Sequence, residues 1–374
     1  MTIQTIIKGQ DTAFLMPAQP EPVKYHSFIQ KVNPSKSGQT IFLQNPPVIL
    51  GGASVVSPKE GKGPLKDYFR IVSCDKKTDK NFECSEKNML KNAIVNAVKN
   101  SNLSLNDINL LLSGDLLNQI TSSSFAARDL GLPFMGLYSA CSTMTQSLVT
   151  ASLFLNAGYY TNIACATASH FATAERQYRY PLEYGAQKPA YAQWTVTGAG
   201  CAVLSSSIDD SQKLLNYPRI KAVTAGKVID YGINDTSNMG AAMAPAAFDT
   251  LIKMFNDTDT SPDDYDLILT GDLGKLGSDI LRDLTAEQGI KLGQNYNDCG
   301  CMVYNLAQKV YQGGSGAGCC ASVFNSFVLE KLKSGEYKRV LFLATGALMS
   351  PQSSFQGETI PGISHGVIIE NSSL

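Results

Sequence analysis

A cysteine at the start of a helix is the side chain of this 374-residue sequence best placed to do chemistry. Cys141 lies in Leu137-Tyr138-Ser139-Ala140-Cys141-Ser142-Thr143-Met144, where a short apolar run turns into a helix of small residues. In the first turn of a helix, unpaired backbone N–H groups carry partial positive charge, which favours thiolate over thiol. The same N–H groups suit a developing oxyanion. A free cysteine is otherwise a small buried hydrophobe, so the case for Cys141 rests on what surrounds it.

Two histidines are candidates to work beside it. His365 lies in the last apolar segment. His170 follows the strand expected over Asn162 to Ala168, at a carboxyl end of the sheet, where α/β proteins place ligands. Ser169 to Val196 is too long and polar for an ordinary connection, and such loops are usually functional. It carries Arg176, Arg179 and Lys188 among Tyr178, Tyr180, Tyr184 and Tyr191. These cations and rings are candidates for ligand contacts, against a default reading as solvated or dimer-contact side chains. Asp272 is a further ligand-binding candidate, although Asp115 holds the equivalent place earlier in the chain, which marks the Gly-Asp-Leu turn as part of the fold.

Metal and phosphate chemistry find little support. Cys299-Gly300-Cys301 and Cys319-Cys320 lack the paired C-x₂-C spacing of a zinc site, and the chain has only three histidines. Gly313-Gly314-Ser315-Gly316-Ala317-Gly318 is not followed by Lys-Ser/Thr, so it reads as close helix packing rather than a phosphate loop. No metal and no cofactor is expected.

The elements that must position these residues come from an internal duplication. Ser104-Leu105-Asn106-Asp107-Ile108-Asn109-Leu110-Leu111-Leu112-Ser113-Gly114-Asp115-Leu116 reappears 157 residues later as Ser261 to Leu273. Asn156 to Ala164 resembles Lys333 to Leu341 at an offset of 177, so about twenty residues are inserted in the second copy. Each half reads as helix, apolar strand, helix, helix, apolar strand, which makes a sheet covered on both faces. Two such halves packed together give an α/β fold of five layers, αβαβα. The expected boundaries are an extension over 1–46, on the surface or partly disordered, a first half over 47–212 and a second over 213–374. A helix is expected from Ser85, as N-cap, to Ser101.

Composition narrows the function. The formal net charge is −1 with no basic block, so nucleic acid is not an expected partner. No apolar run reaches the roughly 18 residues of a membrane span. Met1 to Asn45 is polar and punctuated by prolines, unlike a signal peptide, so the chain is not expected to be secreted. Nine cysteines at scattered spacing fit a reducing compartment.

A duplicated α/β half, with the nucleophilic cysteine heading the central helix of the first copy only, resembles the thiolase and ketoacyl-synthase superfamily. Within it, several motifs resemble the stage V sporulation protein AD family of endospore formers. These are Ser113-Gly114-Asp115-Leu116-Leu117-Asn118-Gln119, Ser139-Ala140-Cys141-Ser142-Thr143, Ala172 to Pro181, Met243-Ala244-Pro245-Ala246-Ala247, Asn297-Asp298-Cys299-Gly300 and Ser364-His365-Gly366-Val367. The likeness runs from about Pro47 to Glu370. It implies a protein that binds dipicolinic acid (pyridine-2,6-dicarboxylate) and serves its uptake into the forespore, with membrane proteins of the same system. It also implies a cytoplasmic or forespore location, peripheral to the spore inner membrane, and a homodimer paired through Pro133 to Tyr138.

The departures from an active thiolase shape the expectation. Condensing enzymes of the superfamily use His/His or His/Asn groups where this chain has Gly271-Asp272 and Gly313-Gly314-Ser315, and a second cysteine near the position of Gly362. Neither place supplies an imidazole, and the resemblance to the superfamily leaves His365, at the last strand, as the candidate general base beside Cys141. Two readings follow: a dipicolinate-binding protein on a degenerate thiolase-like scaffold, or a Cys141/His365 acyltransferase or thioesterase acting on an acyl-CoA.

Overall fold

The structure is a computed structural model and describes residues 36–73, 80–178, 189–207 and 217–371. The fold described is that of the compact unit Pro34–Leu374. Arg179, Tyr180, Tyr184 and Lys188 lie outside the described residues.

Among the described residues, five strands of each half form the main run of the sheet. In the first these are β1 (Val48–Val56), β2 (Leu110–Gly114), β3 (Phe134–Gly136), β4 (Asn162–Ser169) and β5 (Gly198–Ser205). In the second they are β6 (Arg219–Thr224), β7 (Leu267–Gly271), β8 (Tyr296–Asp298), β9 (Arg339–Ala347) and β10 (Gly362–Glu370). Numbered from its own first strand, each half has the spatial order 3-2-4-5-1. In both, the second strand runs parallel to the third and fourth, while the fifth is antiparallel to the fourth and first. The repeat seen in sequence is therefore a repeat of topology. The halves meet where β1 and β6 pair at Val48 and Arg219.

The helices supply the other layers. On the outside of the first half, α1 (Phe82–Asn100) and α2 (Thr121–Leu130) pack on its strands, and α5 (Met239–Thr258) and α6 (Gly274–Glu287) do the same for the second. Between the sheets lie α3 (Thr143–Asn156) and α7 (Ala317–Val323), the latter continuing through a π turn at Phe324–Val328 into Leu329–Lys333. Helix α3 touches β2 and β4 of one sheet and β9 and β10 of the other, which makes it a middle layer. The central core is apolar: Met144, Leu148, Phe324 and Phe342 are fully buried, the two phenylalanines stacked with centroids 4.9 Å apart. Truncating Phe324 to alanine there would cost about 3–5 kcal/mol.

Local chemistry sets the element ends. The expected N-cap Ser85 is superseded: Asn81 caps α1, its side-chain oxygen accepting the Cys84 N–H at 2.8 Å, so the helix starts one turn earlier. Met89, Leu90, Ala93, Ile94, Ala97 and Val98 then recur at helical spacing and face the sheet. In both copies a serine-aspartate capping box, Ser104/Asp107 and Ser261/Asp264, precedes the second strand. The glycine run does serve close approach. A Cβ on Gly318 would lie 2.1 Å from the Gly198 carbonyl oxygen, so α7 can touch β5 only with glycine there.

Two further sequence expectations change. The extension over 1–46 is not wholly outside the body, because a hairpin of Lys36–Ser37 and Thr40–Phe42 adds to β6, with Thr40 and Leu43 buried. The long stretch after β4 is not all loop either. It contains helix α4 (Phe171–Tyr178) and a short strand, Trp194–Thr195, paired with Gly314–Ser315.

Candidate functional site

The turn before α3 is built to present Cys141. Ala140, Cys141 and Ser142 form one 3-10 turn ahead of the helix, and Ala140 adopts a left-handed φ of 48°. That conformation is unfavourable for a residue with a Cβ, so neighbouring contacts must hold it. Thr143 does part of this, its hydroxyl accepting the Ser139 N–H at 3.1 Å and donating to the Ala140 carbonyl at 2.7 Å. Strand β9 closes the other side, since a Cβ on Gly346 would fall 2.2 Å from the Ser139 carbonyl oxygen.

Cys141 is half-buried and lines a cavity of about 50 Å³. Its first-half wall combines the apolar Leu116, Ala140 and Ala174 with Tyr138, Cys141, Glu175, Tyr178 and Thr195. Its second-half wall is largely thioether, from Met239, Met243 and Met349, with Ser315 beside it. Among the described residues the lining contains no histidine, lysine or arginine. The Tyr138 and Tyr178 hydroxyls are 3.1 Å apart, and Tyr178 donates to the Leu116 carbonyl at 2.7 Å. Burial pushes both phenols up, so they are donors at neutral pH. Buried Glu175 accepts the Thr195 hydroxyl at 3.0 Å.

The structure disperses the other sequence candidates. His365 is buried beneath the turn that carries Cys141: Nδ1 accepts the Gly226 N–H at 3.2 Å and Nε2 lies 3.1 Å from Ser139 Oγ. Burial lowers its pKa to about 4. His170 is buried on the α1 side, its ring 5.3 Å from that of Phe82 and its Nδ1 accepting the Ala172 N–H at 3.1 Å. It does not line the cavity. Arg176 turns away and pairs with Glu83 on α1.

Asp272 does not reach the cavity either. It is fully buried, its carboxyl facing the Cys319 thiol and the N–H groups of Gly316 and Cys320 without regular hydrogen-bond geometry. Burial raises its pKa well above the carboxylate range. Asp115, its sequence counterpart, behaves differently and accepts the N–H groups of Leu117 and Ser123 at 2.9 and 2.7 Å. In the second half that work falls to Asp298, which accepts the N–H groups of Leu273, Gly274 and Gly300, each at 2.9 Å.

Sequence reasoning missed Tyr138, Glu175, Thr195, Ser315 and the three methionines. Tyr138 precedes Cys141 by three residues and Met243 heads one of the quoted motifs, but neither signals a cavity until the halves are packed together.

A duplicated 3-2-4-5-1 half, with a cysteine at the head of a middle-layer helix, is the architecture of thiolase-like proteins. The fold is similar to that of OleA from Xanthomonas campestris, with 12% identity, a TM-score of 0.59 and 88% of this chain and 98% of that one covered. It is also similar to 3-oxoacyl-[acyl-carrier-protein] synthase III from Aquifex aeolicus, with 14% identity, a TM-score of 0.51 and 87% and 99% covered. At the level of sequence, the family described as Stage V sporulation protein AD matches residues 37–370. Stage V sporulation protein AD of Bacillus subtilis is 43% identical over 336 residues, covering 89% of this chain and 96% of that protein. The chain belongs to the stage V sporulation protein AD family. Among the described residues no helix is long and apolar enough to cross a membrane.

Proposed function

We propose that this chain binds dipicolinate in the cavity over Cys141 and serves its uptake into the developing spore, together with membrane proteins of the same system. The observation that carries the reading is the lining itself. It sets aromatic and thioether walls around the start of α3, without an imidazole among its described residues. Phenol and thioether groups suit the faces and edges of a pyridine ring. One carboxylate meets the positive end of α3. The second needs a cation, since an unpaired buried carboxylate is strongly disfavoured. Arg176 is committed to Glu83, whereas Arg179 directly follows the wall residue Tyr178 in the chain.

The space present holds only a few waters, so a ring enters by displacing side chains at the mouth. The unbranched methionines are suited to that movement. The alternative, acyl transfer by Cys141 and His365, fits less well, because both nitrogens of His365 are engaged by Gly226 and Ser139. We further propose a homodimer paired through β3, an edge strand with exposed Met135.

Calorimetric titration with dipicolinate tests the function, with thermal shift as a second readout, because a ligand bound only by the folded state raises its melting temperature. Saturable binding and a rise in melting temperature are expected. No binding at millimolar dipicolinate, or release of free CoA from an acyl-CoA panel, would overturn the reading.

A further inference from the structure

We propose that His365 is a positioning residue for the turn that carries Cys141, acting through Ser139 and Ser142 rather than by exchanging a proton with the thiol. The role serves the binding site proposed above and rests on that reading for its purpose, but not for its geometry. The hydrogen-bond accounting is directional. A backbone N–H can only donate, so the contact from Gly226 makes Nδ1 of His365 the acceptor and leaves the proton of the neutral ring on Nε2. Nε2–H then donates to Ser139 Oγ at 3.1 Å.

The Ser139 hydroxyl donates in turn to Ser142 Oγ at 2.6 Å, and Ser142 donates back to the Ser139 carbonyl at 2.7 Å. Every donor in this chain has an acceptor. His365, Ser139 and Ser142 are all buried, where an unmade hydrogen bond is most costly.

The chain brackets Ala140 and Cys141. Ser139 and Ser142 lie on either side of the left-handed Ala140, so fixing them fixes the backbone that aims the thiol and the first N–H groups of α3. The anchor comes from the opposite half, since His365 sits in β10, in register with Ala344 of β9. The turn of one half is thus held by the sheet of the other. Burial keeps the ring neutral, which preserves this single tautomer through physiological pH.

The test is the rate at which iodoacetamide alkylates Cys141 at pH 7, read by peptide mass spectrometry with Cys84 as internal reference. In His365→Leu the Cys141 rate should rise at least fivefold as the turn loosens and the half-buried thiol opens, with Cys84 unchanged. His365→Gln keeps a donor and an acceptor at the ring's place and should stay within twofold of wild type. Ser139→Ala removes only the middle link and should resemble His365→Leu; it decides the matter if His365→Leu does not fold.

A rate unchanged in both loosening variants would overturn the proposal. A slower rate in His365→Leu, not rescued by Gln, would make the imidazole a base and overturn it too. Failure of the wild type to bind dipicolinate would sink the proposed function without altering the labelling result.

Discussion

Arg176 on α4 pairs with Glu83 on α1, and the pair turns the guanidinium out of the cavity to which its neighbours Glu175 and Tyr178 contribute. Position in the motif does not make it a ligand. Arg176→Ala should therefore leave dipicolinate affinity within about twofold and stability within the ~0–1 kcal/mol of an exposed ion pair. Arg179→Ala should weaken binding about tenfold or more, the loss of a charge-assisted hydrogen bond of about 1.5–3 kcal/mol. Paired calorimetric titrations check this; a tenfold loss in Arg176→Ala with none in Arg179→Ala would reverse the assignment.

Thiol labelling should separate Cys141 from the interior cysteines. Cys165, Cys201, Cys299, Cys319 and Cys320 are buried, and burial raises the pKa of each, that of Cys165 to about 12. Brief alkylation of native protein at pH 7 should modify Cys141 early and leave these five until the chain unfolds. Cys141→Ser should keep dipicolinate affinity within a few fold, because a hydroxyl replaces the thiol at the same place.

Two buried groups should give opposite pH slopes. Burial raises Asp298 from 3.8 to about 6, so its contribution to stability is full below pH 3.8 and is lost as pH rises through 6. For His365 the folded value drops from 6.5 to about 4, so its contribution is present above pH 6.5 and is lost as pH falls through 4. Between pH 4 and 6, Asp298→Asn should remove a fall in melting temperature with rising pH, and His365→Gln should remove a rise. Melting curves at half-unit steps measure both slopes.

The exposed edge at β3 predicts the oligomer. Met135→Glu places a charge on the strand that would pair across a twofold axis, and like charges facing each other oppose pairing. Sedimentation velocity should show a dimer for wild type and a monomer for the variant, with the melting of the isolated protomer little changed. A wild-type monomer at micromolar concentration would refute the interface.

Much of the fold was legible in the chain because duplication and periodicity are local. The repeated Ser-x-x-Asp box and the apolar runs after it foretell β2 and β7, and the small-residue helix after Cys141 foretells α3. Buried strands read as apolar runs whatever they pack against. Within the site, the sequence by itself determined where the thiol sits: at the head of α3, in the first half.

Which side chains surround that thiol was decided only by tertiary structure. Met239, Met243 and Met349 are ordinary core residues of the second half until the sheets meet. Asp115 and Asp272 are equivalent in sequence, yet one caps its own turn and the other is buried against Cys319. His365 reaches Ser139 instead of Cys141 because β9 and β10 fix its register opposite Ala344. Periodicity encodes whether a side chain faces in or out. The partner it meets depends on how two sheets and a shared helix layer come together, and on where each buried donor and acceptor must find its match.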